Sequence, residues 1–187
     1  MSIFELIYVV LLLVIMISVL ISFHAERKTK VVPAPTLRHV RNRALSLIPD
    51  TFDRNGSYKI IDLGSGWGGV LIALSNLFPN SEVVGYEISP CPFILSKIRG
   101  WMRSKNITVY STNFLNQNIS DADIVFCYLS PNHMKQLAPL FSTLGAGKCI
   151  ISCAFPIPEW VADSEDRLSR YFCNTSIYCY KTSGPKP

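Results

Sequence analysis

The chain has 187 residues, 49% of them apolar, six cysteines and a formal net charge of +5. That length suits one domain of ordinary core size, and the charge is spread rather than blocked, which argues against a nucleic-acid footprint. The cysteines form no C-x-x-C pair and no Cys/His ligand spacing, so buried thiols are expected rather than a metal site.

Ile3 to Phe23 is an apolar run whose only charge is Glu5. As a helix at about 1.5 Å per residue it spans ~30 Å, the thickness of bilayer hydrocarbon. Arg27, Lys28 and Lys30 follow the run instead of preceding it, unlike the layout of a signal peptide. Residues 1–30 therefore read as a single transmembrane anchor with a basic flank, and residues 31–187 as the folded domain. The positive-inside rule places that domain on the cytoplasmic side, or its organellar equivalent. Two further basic groups, Arg38-Arg41-Arg43 and Lys97-Arg99-Arg103-Lys105, fall on helical patterns and read as solvated faces that an anionic leaflet would attract.

Val31-Val32-Pro33-Ala34-Pro35 reads as a stiff linker. Thr36 is the expected N-cap of a helix through Ile48, with Leu37, Val40, Ala44, Leu45 and Ile48 on one side. A first strand follows at Tyr58 to Leu63, a Gly-rich turn, and a helix from Gly68 to Phe78. A second strand, Glu82 to Glu87, leads to a helix over Pro92 to Ser104. Strands at Thr108 to Ser111, Ile124 to Tyr128 and Lys148 to Ala154 enclose a helix over Asn132 to Leu144. Tyr171-Phe172-Cys173 and Ser176 to Lys181 read as a closing antiparallel pair. This alternation predicts a Rossmann-like α/β domain: an open, mostly parallel sheet with helices on both faces and an antiparallel C-terminal strand.

In such sheets ligands sit beyond the C-terminal strand ends. That edge collects Asp62, the Gly64-Ser65-Gly66-Trp67-Gly68-Gly69 turn, Glu87, Asn113-Phe114, Tyr128 to Pro131, and Phe155 to Trp160. A carboxylate about 20 residues beyond such a turn suits a ribose hydroxyl pair, which makes Glu87 the candidate partner of an adenosine. The glycine pattern alone also fits a dinucleotide. Asp62 favours a different ligand, because a carboxylate at the strand end repels a pyrophosphate and attracts a cationic amino-acid end such as that of S-adenosylmethionine. The short remainder of the chain leaves no obvious second domain for a hydride acceptor.

Together these residues resemble the class I, seven-strand S-adenosylmethionine-dependent methyltransferases. More narrowly, the chain resembles the membrane-anchored protein-lysine methyltransferase family that includes the enzyme modifying the c-ring protein of ATP synthase. The likeness runs from Val31 to Tyr180 and takes in the hydrophobic N-terminus, Val32-Pro33-Ala34-Pro35-Thr36, the glycine turn, Gly85-Tyr86-Glu87, Asn113-Phe114-Leu115 and Phe155-Pro156-Ile157-Pro158-Glu159-Trp160. It implies that Glu87 holds the ribose, that the backbone from Gly64 through Ser65 and Gly66 to Gly68 cradles the methionine part, and that Asn113, beside Phe114, meets the adenine. The family usually carries Asp-Gly-Arg where this chain has Trp67-Gly68-Gly69, and Asp where it has Asn113.

Methyl transfer from a sulfonium needs alignment and exclusion of water more than a dedicated base. Tyr128, Phe155 and Trp160 are the candidate walls of a slot for a lysine side chain, and Glu159 the candidate that steers its ammonium. The expected activity is methylation of a protein lysine at or near a membrane. Methylation of a small molecule or lipid, or a non-catalytic cofactor-binding role, is the alternative. A nucleic-acid substrate is disfavoured, since Tyr128-Leu129-Ser130-Pro131 is not an Asn/Asp-Pro-Pro-aromatic sequence.

Overall fold

The computed structural model describes residues 2–10, 12–14, 16–17, 36–103, 106–170 and 173–184. The first of these stretches are helical at 3–10, 12–14 and 16–17, and their large apolar side chains are exposed. Ser2 and Glu5 start that helix with a reciprocal capping box: the Ser2 amide donates to Glu5 Oε2 at 2.8 Å, and the Glu5 amide to Ser2 Oγ at 3.3 Å. Among the described residues no helix is long and apolar enough to cross a membrane. The rest of the expected anchor, its basic flank and the Val31–Pro35 linker lie outside the described residues, as do Tyr171 and Phe172.

Helix α1 (Arg38–Ser46) buries Val40, Ala44 and Leu45, with Ile48 just beyond. Its cap is Leu37 rather than Thr36, with no side-chain hydrogen bond. Leu37 has extended backbone, ψ 141°, and its carbonyl accepts the first helical bond from Arg41 N, so its side chain leaves the buried face and is half exposed.

The sheet has seven strands among the described residues: β1 (Lys59–Leu63), β2 (Glu82–Tyr86), β3 (Ile107–Tyr110), β4 (Ile124–Cys127), β5 (Ala146–Cys153), β6 (Ser164–Arg170) and β7 (Cys173–Ser183). Their order is β3-β2-β1-β4-β5-β7-β6. β1 to β5 run parallel, and β7 pairs antiparallel with β5 and β6. Helices α2 (Gly69–Leu77) and α3 (Pro90–Arg103) form the β1-to-β2 and β2-to-β3 crossovers, and α4 (Pro131–Phe141) the β4-to-β5 crossover.

Strand alternation sends successive side chains to opposite faces. Ile60, Phe126, Ile151 and Cys153 join Val40, Leu71, Leu74 and Phe78 from α1 and α2 in one core. Ile61, Leu63, Val125 and Cys127 join Met134, Leu137 and Phe141 from α4 in the other. Helices thus cover both faces, as the pattern requires. Cys127, Cys149, Cys153 and Cys179 are buried free thiols. Burial pushes Cys127 up to about 12, so it is an inert apolar side chain.

The closing antiparallel pair is present: its first strand is β6, and Cys173 opens β7, its second. Ser-Glu-Asp-Arg-Leu-Ser-Arg has no apolar alternation because β6 is the sheet edge, where charged side chains protect an unpaired ladder. Asp166 on that strand also pairs with Arg43 of α1.

Candidate active site

The strand order reverses between β1 and β4, so a crevice opens at their C-terminal ends. Asp62, the last residue but one of β1, is opposite Gly85 on β2 and Phe126 on β4. Gly85 has no side chain for a reason: a Cβ there would lie 2.8 Å from Ser65 Oγ and 2.7 Å from Leu71 Cδ1. The missing side chain lets the glycine turn fold back over β2.

That turn spends its own amides. Gly64 N and Ser65 N both donate to the Tyr86 carbonyl at 3.0 Å, Gly66 N donates to Glu87 Oε2 at 2.8 Å, and Gly68 N to the Ser65 carbonyl at 3.0 Å. The turn is thereby tied to the end of β2, and the amides of Gly64, Ser65, Gly66 and Gly68 are all used within the protein. Gly64, Gly66 and Gly68 all have positive φ, at 74°, 51° and 75°. Gly68, which caps α2, is doubly fixed, because a Cβ would come within 2.9 Å of Ser96 Cβ on α3.

Two arginines hold the turn from outside. Arg41 on α1 donates through Nη1 to the Gly69 carbonyl at 3.1 Å, and Arg99 on α3 donates to the Trp67 carbonyl at 2.7 Å. Burial, with Arg38 and Arg99 close by, pulls the Arg41 guanidinium below its usual value. By their helical spacing alone both residues belong to solvated faces. A helical charge pattern does not reveal a backbone carbonyl as partner, so no sequence signal could have found them.

Asp62 is only 2% exposed, and its Oδ2 has no hydrogen-bond partner. Burial, reinforced by the nearby Glu87 carboxylate, pushes its pKa from 3.8 up to about 8. The Ser65 hydroxyl beside it is likewise buried and unpartnered. Glu87 is buried too, its two oxygens accepting from Gly66 N and from Ser89 N at 2.7 Å. Each oxygen keeps a lone pair for a further donor. Two buried polar groups without partners at a strand-order reversal, beside an acceptor with spare capacity, fit a polar cationic ligand with hydroxyl donors.

Across the crevice, Asn113 caps the short 3-10 turn Phe114–Asn116, its Oδ1 accepting from Leu115 N at 3.0 Å. The rings of Phe114 and His133 meet edge to face at 5.5 Å, and His133 Nδ1 is bonded to Ser130 Oγ at 3.0 Å. Burial lowers the His133 pKa, favouring the neutral ring. A Cβ on Gly64 would lie 3.0 Å from Leu129 and 3.9 Å from Phe114. The turn, the Asn113-Phe114 segment and the residues after β4 thus converge on one place.

The four residues expected at a substrate slot share the same sheet edge but are differently seated. Tyr128 is half-buried against the α1/α2 core, whereas Trp160 packs on the α4 core, 6.1 Å from the Tyr180 ring. Phe155 is 38% exposed and Glu159 is exposed. Their loop is docked by Tyr180, whose hydroxyl accepts from Ile157 N at 2.9 Å, and by Ser152 Oγ donating to the Phe155 carbonyl at 2.6 Å. Left-handed residues bracket it, Ala154 at φ 74° and Glu159 at φ 65°. Among the described residues no cluster of His, Cys, Asp or Glu could hold a metal ion.

The sheet order, the turn after β1 and the acid after β2 define a seven-strand methyltransferase-type α/β fold. Solved structures bear this out. An RNA methyltransferase from Salinibacter ruber, in complex with S-adenosyl-L-homocysteine, superposes with TM-score 0.69 at 24% identity, over 82% of this chain and 97% of that one. Magnesium protoporphyrin IX methyltransferase from Synechocystis PCC 6803, with bound SAM, gives 0.61 at 15% identity over 78% and 79%. Identities this low establish the fold alone.

The chain belongs to the ANTKMT methyltransferase domain family, whose model matches residues 62–164, from Asp62 at the end of β1 to the start of β6. It is 30% identical over 107 residues to the ATP synthase c-subunit lysine N-methyltransferase of Xenopus laevis. That match takes in 56% of this chain and 46% of the relative, so the chain spans about half the length of the curated protein it resembles.

Proposed function

We propose that this protein is a membrane-tethered S-adenosylmethionine-dependent methyltransferase that modifies a lysine side chain of a protein at or near the same membrane. The observation that carries the cofactor reading is Asp62, a buried carboxyl with an unpartnered oxygen beside the glycine turn. When bound, S-adenosylmethionine supplies an electrophilic methyl group on a sulfonium.

Asp62 and the Ser65 hydroxyl receive the amino-acid end of the cofactor, directly or through water. The cationic end stabilises the ionised form of Asp62 that burial disfavours. Glu87 keeps its two backbone donors and accepts from the ribose hydroxyls with its remaining lone pairs. Gly64, Gly66 and Gly68 serve as a close-approach surface, their amides being committed to Tyr86, Glu87 and Ser65. Asn113 presents its amide NH2 to the adenine, and Phe114, backed by His133, gives the base an apolar wall.

A lysine acceptor must be neutral to attack, and its reference pKa is about 10.4. Tyr128, Phe155 and Trp160 line the edge from both sheet faces and exclude water, which lowers that pKa without a dedicated base. Glu159, exposed at the end of the loop, attracts the incoming ammonium. The lysine reading is supported by the family and by the Xenopus laevis relative. The tether reading is supported by the exposed apolar side chains among residues 3–10, 12–14 and 16–17, which begin the run from Ile3 to Phe23. This arrangement puts the domain of residues 31–187 on the cytoplasmic or organellar interior side and raises the local concentration of membrane-borne substrates.

The test is to incubate the full chain with methyl-labelled cofactor and a membrane extract, then hydrolyse the products to amino acids. Label in methyl-lysine is the expected result. Label confined to lipid or RNA contradicts the proposal.

A further inference from the structure

Helix α3 turns its small residues inward and its large ones outward. Pro92, Ser96 and Gly100, spaced by four, form its buried face against Gly68 and Ile107. Ile94, Leu95, Ile98, Trp101 and Met102 fall at i, i+1, i+4, i+7 and i+8, a continuous stripe along the opposite side. All five are exposed, Trp101 to 84% and Met102 to 70%. Single exposed apolar residues are ordinary on a protein surface, but a five-residue stripe on one helix marks an interaction site.

The charges beside the stripe are of one sign. Lys97, Arg99 and Arg103 lie on the same helix, which carries no Asp or Glu. Lys97, over the Phe93 ring, borders the stripe on one side, and Arg99, which also donates to the Trp67 carbonyl, on the other; both are exposed. Trp, Ile, Leu and Met flanked by Lys and Arg, without acids, is the make-up of a helix lying in the headgroup region of an anionic leaflet. An acidic protein groove would meet the same charges, but the apolar run from Ile3 to Phe23 already places a bilayer beside this domain under the reading above.

We propose that α3 is an interfacial docking helix, seating the folded domain on an anionic lipid surface with its apolar stripe at the acyl boundary. This contact is separate from the N-terminal tether and sits within the domain that holds the glycine turn. Its consequence is a fixed orientation of the crevice relative to the bilayer.

Hydroxyl-radical footprinting of the full chain, read residue by residue by mass spectrometry, tests this. The chain is compared in detergent, with phosphatidylcholine vesicles, and with phosphatidylcholine–phosphatidylglycerol vesicles, and flotation is measured in parallel. Oxidation of Trp101 and Met102 is expected to fall about fivefold or more with the anionic vesicles and much less with the neutral ones. Lys97→Gln, which leaves the buried face of α3 intact, is expected to weaken anionic protection about fivefold, the effect of one cation near a leaflet. If the chain floats with vesicles while Trp101 and Met102 oxidise as fast as in detergent, the tether stands and the docking helix is refuted. Failure to float with either vesicle refutes both. Protection without lipid also overturns the proposal: a concentration-dependent effect assigns the stripe to a second copy, and a concentration-independent one to the chain's own apolar N-terminus. Protection that appears only with added protein assigns it to a protein partner.

Discussion

Replacing Asp62 by asparagine separates the electrostatic role of this side chain from its shape. In the unliganded protein the carboxyl has a pKa near 8 because burial and Glu87 both oppose its charge. At pH 7 it is mostly protonated, and ionising it to meet a cationic ligand costs about 1.4 kcal/mol, one pKa unit. Affinity for S-adenosylhomocysteine should therefore rise about tenfold per pH unit up to pH 8, then level. The ligand's own amino group titrates in a similar range, so the informative quantity is the difference between wild type and Asp62→Asn. Asparagine cannot ionise, and its deficit should grow with pH, from about 1 kcal/mol or less near pH 7 to about 2 to 3 kcal/mol near pH 9, the strength of a hydrogen bond to a charged group. Calorimetry at several pH values measures this, and a pair of buffers with different ionisation enthalpies should report close to one proton released on binding to wild type at pH 7. The same carboxyl affects folding with the opposite trend. Between 3.8 and about 8 the native state holds a proton that the unfolded chain has lost, so wild-type stability should fall with rising pH through that window. The slope approaches about 1.4 kcal/mol per unit and should be absent in Asp62→Asn. Parallel binding profiles for the two proteins would refute the assignment of Asp62 to the cationic end.

Other substitutions test the frame around the site. Gly68→Ala forces a side chain into a left-handed backbone and against Ser96, and should lower urea-unfolding stability by about 2 to 4 kcal/mol. Arg41→Ala leaves the Gly69 carbonyl without its guanidinium. It should raise the cofactor KM about fivefold, a charge-assisted hydrogen bond discounted for partial exposure, with little change in kcat. Ala154→Gly relieves a positive φ and should raise thermal stability by about 0.5 to 1 kcal/mol, seen as a higher Tm. Glu87→Ala removes the acceptor for Gly66 N and Ser89 N together, and should abolish cofactor binding while loosening the turn, detectable as faster amide exchange at Gly66.

What the sequence made legible was the part of the fold written in short range. The apolar run to Leu63, the glycines after it and the strand leading to Glu87 need only local chemistry to be recognised, and each lies within a residue of where its pattern put it. Ser164–Arg170 was missed because an edge strand is polar on both sides, so alternation carries no signal there. The anchoring of the turn by Arg41 and Arg99 joins residues far apart in sequence through backbone carbonyls, which no motif records. The internal use of the turn amides was equally hidden, since glycine spacing fixes where a chain can bend and not where its N–H groups point. On α3 the apolar period is plain in the sequence, but a period alone does not say whether that face meets the core or the exterior. There the small residues Ser96 and Gly100 decided it, by packing inward.

A structure of the protein with S-adenosylhomocysteine decides whether the β1–β4 crevice is the cofactor site. The expected arrangement has the ribose hydroxyls on Glu87, the amino-acid end at Asp62 and Ser65, and the adenine between Asn113 and Phe114. A ligand bound away from the β1–β4 crevice, or a folded protein that takes up none, would contradict it.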